Sequence, residues 1–245
     1  MYELVSLVNW RGRRRWDEGH MTGAKVATKT AVAPRQKRAS QRTQDPEGVK
    51  RNIIEIASEE FALNGLSGAR IDEIAARTRT SKRMIYYYFR DKEGLYLAAL
   101  ENAYRLVREG EAKLDVEDLA PTAALRKLVE FTFDHHHRHE DFIRMVMIEN
   151  IHHGEYLEQS KAIRQLNVSA IDTMASVYKR GVADGSFRKG LDPIELHWQV
   201  SALCFFNVSN RATFSKIFGR DFGAPKALSS LRNNAVEMVL RYVAI

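Results

Sequence analysis

Residues 71–92 constrain the fold of this chain more than any other stretch, because two short amphipathic helices follow one another there with a tight break between them. In the first segment, apolar or small residues repeat at the i, i+3, i+4 and i+7 spacing of one helix face: Ile71, Ile74, Ala75 and Thr78. After a two-residue break, Ser81 can cap a second helix, in which Ile85 and Phe89 share the buried face. The spacing predicts a helix-turn-helix unit.

The exposed face of the second helix is basic and aromatic. Between residues 77 and 92, six Lys and Arg stand against a single acid, Asp91. Three consecutive tyrosines at 86–88 are too many for one small core. Such a surface suits phosphate neutralisation by counterion release, with the first residues of the helix reaching base edges in the major groove. A solvated, charged helix face is the alternative interpretation, but exposed phenols between guanidinium groups favour DNA binding.

The segment from Ile53 to Leu100 resembles the N-terminal domain of the TetR family of bacterial transcriptional regulators. It has a helix ending at a glycine, an IDEIA helix, a serine opening the recognition helix, a YYYF core and a Lys-Glu pair opening a long connector helix. We expect the DNA-binding residues to be Arg70, Ser81, Lys82, Arg83, Met84, Tyr86, Tyr87, Tyr88 and Lys92.

The resemblance implies separate roles for these residues. Residues 82–84 would face bases, Tyr86 and Tyr87 would contact bases or sugar-phosphate, and Tyr88 and Lys92 would hold phosphates. The chain departs from the family pattern at two positions. Arg79 occupies the turn position usually held by glycine, which tolerates a positive φ better. Arg83 stands where a small residue is common, and it can bind a guanine with two hydrogen bonds.

The charge distribution predicts a boundary near residue 44. Residues 1–44 hold ten Lys and Arg against three acids, which equals the net charge of +7 of the whole chain. We expect this tail to be disordered, followed by a DNA-binding domain over 45–92 and an effector-binding and dimerisation domain over 93–245. Two interpretations of the tail stay open: Met21 is the true translation start, or a basic arm lies along DNA.

The DNA-binding domain is expected to begin with a helix that Asp45 caps and Gly65 ends, with Val49, Ile53, Ala57 and Phe61 on its buried face. Asp91 should cap the connector helix, which runs to about residue 113. From Pro121 onward, the spacing predicts helices over 121–139, 140–151, 158–184, 192–214 and 225–243. The predicted fold is therefore all-α.

The last two predicted helices carry more apolar surface than one neighbour can cover. The resemblance implies that they build a four-helix bundle between two copies, although a monomeric core would also explain them. We expect a homodimer through residues 192–214 and 225–243.

A cavity for a small organic effector is expected in the second domain, since large apolar residues there are interspersed with a few polar groups. The candidate ligand-binding residues are Tyr104, Phe131, Phe142, Met145, Glu149, Asn150, Trp198 and Phe205. A plain hydrophobic core shows the same spacing, and the resemblance does not identify the ligand.

Histidines support a further hypothesis. His135 and His139 lie one helical turn apart, and His152 follows a helix later. This spacing can bind a transition metal, which would make the chain a metal-responsive regulator or a helical metalloenzyme. Neither an HExxH motif nor a nearby cysteine accompanies the cluster, so we expect no metal or other cofactor.

Composition supports a DNA-binding regulator and argues against several other classes. No apolar run approaches the roughly 20 residues that span a bilayer, so we expect a soluble, cytoplasmic protein without a membrane partner. The single cysteine, Cys204, lies in an apolar stretch and is predicted to be buried.

GxSxG, P-loop and GxGxxG motifs are absent, and no enzyme activity is expected. We expect a repressor that a small effector releases from a palindromic operator.

Overall fold

The computed structural model describes residues 45–245, and the predicted basic tail over residues 1–44 lies outside the described residues. The described range contains α-helices and no strand, which confirms the predicted all-α class. The helices are α1 (Pro46–Gly68), α2 (Ile71–Thr78), α3 (Lys82–Phe89), α4 (Lys92–Ala112), α5 (Pro121–Arg138), α6 (Glu140–Ile151), α7 (Glu155–Gln159), α8 (Lys161–Ala183), α9 (Pro193–Ser209), α10 (Arg211–Phe218) and α11 (Pro225–Val243).

Helix α1 begins where its sequence predicts, but Gly65, the predicted end, interrupts the helix, which continues to Gly68. Asp45 accepts a hydrogen bond from Gly48 N at 2.8 Å, which satisfies one of the free N–H groups of the first turn. Gly65 interrupts the helical backbone with φ 67° and ψ 176°. The expectation for Val49 was wrong: it is 36% exposed, because this first turn extends beyond the packed stripe that starts at Ile53.

The helix-turn-helix unit is formed by α2 and α3. All four residues of the predicted α2 stripe are buried, as are Ile85 and Phe89 on α3. Ser81 caps α3 by accepting from Met84 N at 3.2 Å. Arg79 forms the turn in the left-handed region, at φ 53° and ψ 35°, where a residue with a Cβ is strained.

Recognition helix α3 and helix α4 are joined by only two residues, and the junction is tight. Arg90 takes φ 70° and ψ −60°, and Asp91 N donates to Phe89 O at 2.9 Å, which closes a γ-turn. Asp91 caps α4 by accepting from Gly94 N at 2.7 Å. A Cβ on Gly94 would lie 2.2 Å from Phe89 O, so only glycine lets α4 approach this closely. The direction of α4 is thereby tied to that of α3.

Two hydrophobic cores support these helices. The first gathers α1, α2, α3 and the first half of α4, together with Met145 from α6 and Ile163 from α8. The second gathers α5, α8, α9 and α11. Because α6 and α8 contribute to the first core, the division proposed at residue 92 stays a prediction.

Two of the predicted C-terminal helices are each divided in the structure. The segment 158–184 is wrong as one helix, because Ser160 ends α7 and caps α8 by accepting from Ile163 N at 3.1 Å. The segment 192–214 is likewise broken at Asn210, between α9 and α10. The prediction of 225–243 is confirmed residue for residue by α11. Cys204 is buried as predicted, and burial raises the pKa of its thiol to about 12.

Candidate DNA-binding face and ligand cavity

The outer face of α3 presents its predicted side chains to solvent. Met84, Tyr86 and Tyr87 are exposed, and Tyr87 is the most open of them, at 77%. The opposite face holds Ile85 and Phe89 against the first core, which fixes the rotation of the helix. Large apolar and aromatic side chains left in water on a rigid helix are typical of a contact surface.

The cations around α3 fall into two groups. Lys82 forms an ion pair with Asp72, and Arg70 lies 3.6 Å from Glu73. No ion pair within residues 45–245 involves Arg79, Arg83 or Arg90. No acid of the described range pairs with these three guanidinium groups, so they can pair with a polyanion such as the DNA backbone.

The remaining predicted DNA contacts already have partners inside the chain. Ser81 Oγ caps α3, and Lys92 Nζ donates to the carbonyl of Ser67 at 3.1 Å. Tyr88 is half-buried, with its ring centroid 5.4 Å from that of Tyr87 and 6.2 Å from that of Phe89. These side chains help to shape the face, and their contacts with DNA stay predictions.

A cavity of about 500 Å³ lies between α4, α5, α6, α8 and α9. This volume falls within the range typical of small-molecule sites. The candidate residues that line it are Tyr104, Phe142, Asn150, Trp198 and Phe205. The rings of Tyr104 and Phe142 meet edge to face, 5.2 Å apart, and form an aromatic corner.

Three other candidates do not line this cavity. Met145 is buried in the first core. Glu149 is 1% exposed and accepts from Tyr96 Oη at 2.9 Å and from Leu157 N at 3.0 Å. Phe131 packs over Gly110, where an added Cβ would come within 2.6 Å of its ring. On α6, Met145 and Glu149 are four residues apart and face the first core, whereas Phe142, Val146 and Asn150 share the cavity face.

Sequence reasoning missed several polar residues on the cavity wall, among them Arg108, Glu111 and His136. Arg108 and Glu111 form an ion pair one turn apart on α4, with side chains only 11% and 15% exposed. Their spacing relative to Tyr104, four and seven residues along the helix, is the signal that could have placed them on the same face.

The two cavity histidines are uncharged near neutral pH. Burial, with the Arg108 guanidinium as a further cause, lowers the pKa of both His136 and His197 to about 4. A neutral imidazole offers one N–H donor and one acceptor nitrogen. The wall therefore carries one largely buried ion pair and two neutral imidazoles among aromatic rings.

The histidine cluster is not gathered into a metal site. The rings of His135 and His139 lie 4.3 Å apart, but His152 is at the other end of α6, about 20 Å away at 1.5 Å per residue. Among residues 45–245, no group of three or more His, Cys, Asp or Glu side chains is arranged to hold a metal ion. Burial lowers the pKa of His135 to about 3, so this imidazole is also neutral.

None of the helices between residues 45 and 245 is long and apolar enough to cross a membrane.

Comparisons with known proteins agree with this architecture. Residues 53–99 match the family described as "Bacterial regulatory proteins, tetR family", and residues 121–239 match "Tetracyclin repressor-like, C-terminal domain". The HTH-type transcriptional repressor NicS of Pseudomonas putida is 32% identical over 200 residues, which cover 82% of this chain and 94% of that protein.

Solved structures share the fold at lower identity. A tetR-family regulatory protein from Rhodococcus RHA1 has a TM-score of 0.63 at 20% identity, covering 80% of this chain and 97% of that one. The regulator SCO4942 from Streptomyces coelicolor has a TM-score of 0.60 at 22% identity, covering 80% and 98%. The chain belongs to the TetR family of DNA-binding transcriptional regulators.

Proposed function

We propose that this regulator is a homodimeric repressor that binds a palindromic operator and leaves it when a small organic molecule enters the cavity. The observation that carries the proposal is the path of α4. It begins at Lys92, separated from the recognition helix by two residues, and further along supplies Tyr104 and Arg108 to the cavity wall. A ligand that favours one orientation of α4 therefore acts on the position of α3.

The expected effect of a ligand is a change in the distance between two recognition helices. Both half-sites of an operator are contacted only while this separation stays near one DNA turn, about 34 Å. A ligand releases DNA if it binds more tightly to a dimer whose recognition helices do not have this separation. The coupling free energy is about 1–3 kcal/mol in typical cases.

Exposed apolar residues on the last helices support the homodimer. Within the predicted dimer segments 192–214 and 225–243, the exposed apolar side chains include Phe206 on α9 and Met238 and Tyr242 on α11. Between the two segments, α10 exposes Ile217 and Phe218. A two-fold axis through α9 and α11 would cover such surfaces with their own copies. TetR regulators dimerise, and this pair of helices is the interface we propose.

Repression and a cytoplasmic site of action are parts of the same proposal. The relative NicS, at 32% identity over most of both chains, is named a transcriptional repressor. A regulator that competes for operator DNA acts where that DNA is, in the bacterial cytoplasm.

Selection of bound duplexes from a random library, followed by fluorescence anisotropy with the full chain, tests the DNA-binding part of the proposal. We expect a symmetric sequence to be enriched. Tyr87→Ala and Arg83→Ala should each weaken binding to it by roughly 1–3 kcal/mol.

The matched control is Arg164→Ala, which removes an exposed cation from α8. It should leave operator affinity unchanged, and sedimentation should show dimers for all variants. Enrichment of asymmetric sites, or equal affinity for Tyr87→Ala and the parent chain, would overturn the assignment of α3 as the reading helix.

A further inference from the structure

The cavity contains a buried cation with unused hydrogen-bonding capacity. The Arg108 side chain is 11% exposed, and its Nη1 donates to Glu111 Oε2. Its Nε is shielded from solvent and has no hydrogen-bond partner among residues 45–245. No hydrogen bond from its Nη2 to the described part of the chain is present either. Arginine stays protonated in proteins, so these donors cannot be removed by titration.

The unused donors form one edge of the guanidinium. Glu111 occupies the Nη1 position, which leaves the Nε–Nη2 edge free. Two parallel N–H groups on one edge match the two oxygens of a carboxylate and bind them together. A lysine in this position would offer a point charge without this geometry.

Neighbouring groups add donors without adding charge. His136 is 6% exposed, lies on the cavity wall, and its Nδ1 also has no partner within the described residues. His197 lies on the same wall, and both imidazoles are neutral near pH 7 because their pKa is about 4. The full positive charge on this wall is therefore that of Arg108, with Glu111 opposing it.

Aromatic side chains form much of the remaining wall. Tyr104, Phe142, Trp198 and Phe205 offer ring faces and edges, which favour offset stacking or edge contacts with another ring. The amide groups of Asn150 and Asn167 donate to their own helices, at 2.9 Å to Val146 O and 2.8 Å to Ile163 O. Each amide keeps a second N–H but carries no charge, so Arg108 is the stronger partner for an anionic group.

From these contacts we propose that the cavity binds a planar aromatic carboxylate, with the carboxylate on the Nε–Nη2 edge of Arg108 and the ring among the aromatic side chains. The inference rests on the proposed ligand cavity and specifies the chemistry of its occupant. An isosteric neutral amide leaves one of the two parallel N–H groups without an acceptor, and an amine places a like charge beside the guanidinium.

Isothermal titration calorimetry on the full chain, with three probes of one shape, tests this inference. The probes are 2-naphthoate, 2-naphthamide and 2-naphthylmethylamine. We expect 2-naphthoate to bind at least about tenfold more tightly than the amide, with the amine weakest. Equal affinity of the acid and the amide, or no binding of any probe, would overturn the proposal.

Variants assign the preference to Arg108. R108Q should abolish the difference between acid and amide, whereas E111Q frees the guanidinium and should strengthen 2-naphthoate binding. The double variant R108Q/E111Q leaves no unpaired buried charge, so it provides the same test if R108Q does not fold. The control is R105Q, since Arg105 is an exposed residue of α4 paired with Glu109. Persistence of the acid preference in both Arg108 variants would contradict the assignment.

The same probes separate this inference from the proposed function. Operator release is followed by anisotropy at saturating probe. If 2-naphthoate binds with the expected preference but leaves the operator complex intact, the ligand class stands and release by this cavity fails. If the amide binds and releases the operator as well as the acid does, the release mechanism stands and the anion assignment fails.

Discussion

The phenol of Tyr96 on α4 donates a hydrogen bond of 2.9 Å to the carboxylate of Glu149 on α6, and both side chains are buried. The ring of Tyr96 also meets Phe61 of α1 edge to face at 5.1 Å. Glu149 is adjacent in sequence to Asn150, which lines the cavity. One turn of α6 therefore contacts both the ligand cavity and the core beneath the recognition helix.

Removing this hydrogen bond should destabilise the protein measurably. In Tyr96→Phe the Glu149 carboxylate keeps only its bond to Leu157 N, so we expect the free energy of unfolding to fall by about 1–3 kcal/mol in urea titrations. Tyr156→Phe is the control, because the Tyr156 hydroxyl has no hydrogen bond to the rest of the described range. A loss in Tyr96→Phe no larger than in this control would show that the bond contributes little.

Gly94→Ala should disrupt the junction between α3 and α4. The added Cβ would lie 2.2 Å from Phe89 O, a backbone atom that cannot rotate away. We expect a loss of several kcal/mol, on the scale of other overpacked or strained sites, and loss of operator binding. Gly68→Ala is the matched control: its Cβ would be 3.5 Å from Asn64, an ordinary contact. Thermal melts should separate the two variants, and similar melting temperatures would refute the close approach.

Arg79→Gly should stabilise the turn. The left-handed backbone at φ 53° costs a residue with a Cβ about 1–2 kcal/mol, and the extra freedom of glycine in the unfolded chain offsets part of that gain. We expect a net increase of up to about 1 kcal/mol in unfolding free energy. Ala76→Gly, at an exposed helical position of α2, should do the opposite and cost about 1 kcal/mol. Destabilisation by both substitutions would argue against strain at Arg79.

Stability should fall in mild acid because the cavity histidines His136 and His197 are held neutral. Their pKa in the folded chain is about 4, against 6.5 for a free imidazole, so the unfolded chain binds more protons below pH 6.5. Above pH 6.5 the neutral histidines do not lower the free energy of unfolding. As the pH falls toward the folded pKa, each of them lowers the free energy of unfolding by up to about 1.4 kcal/mol per pH unit. Urea titrations across this window should show a smaller loss for His136→Gln. The exposed His152→Gln should behave like the parent chain.

Deleting residues 1–44 should flatten the salt dependence of DNA binding. This segment carries ten Lys and Arg, and every cation that contacts a phosphate releases counterions. The slope of log affinity against log salt concentration should become less steep, and non-specific binding should weaken. An unchanged slope would mean that the segment does not contact DNA.

Local signals in the sequence determined the elements around the recognition helix. Capping side chains at Asp45, Ser81 and Asp91 and the buried stripes of α2 and α3 all occur as predicted, because caps and helical periodicity act over a few residues. The segment 225–243 was equally predictable, since proline marks its start and a single stripe runs along it.

Tertiary packing alone decided the composition of the ligand cavity. Periodicity shows which residues of α6 share a face, but it cannot show that Asn150 meets the cavity while Glu149 meets Tyr96, because that depends on which helices pack on each side. Nothing in the sequence marks Arg108 or His136 as part of a cavity wall, and only packing by several helices shields the Arg108–Glu111 ion pair from solvent and makes His136 a neutral donor. The physical reason is that desolvation and pairing depend on residues far away in the chain.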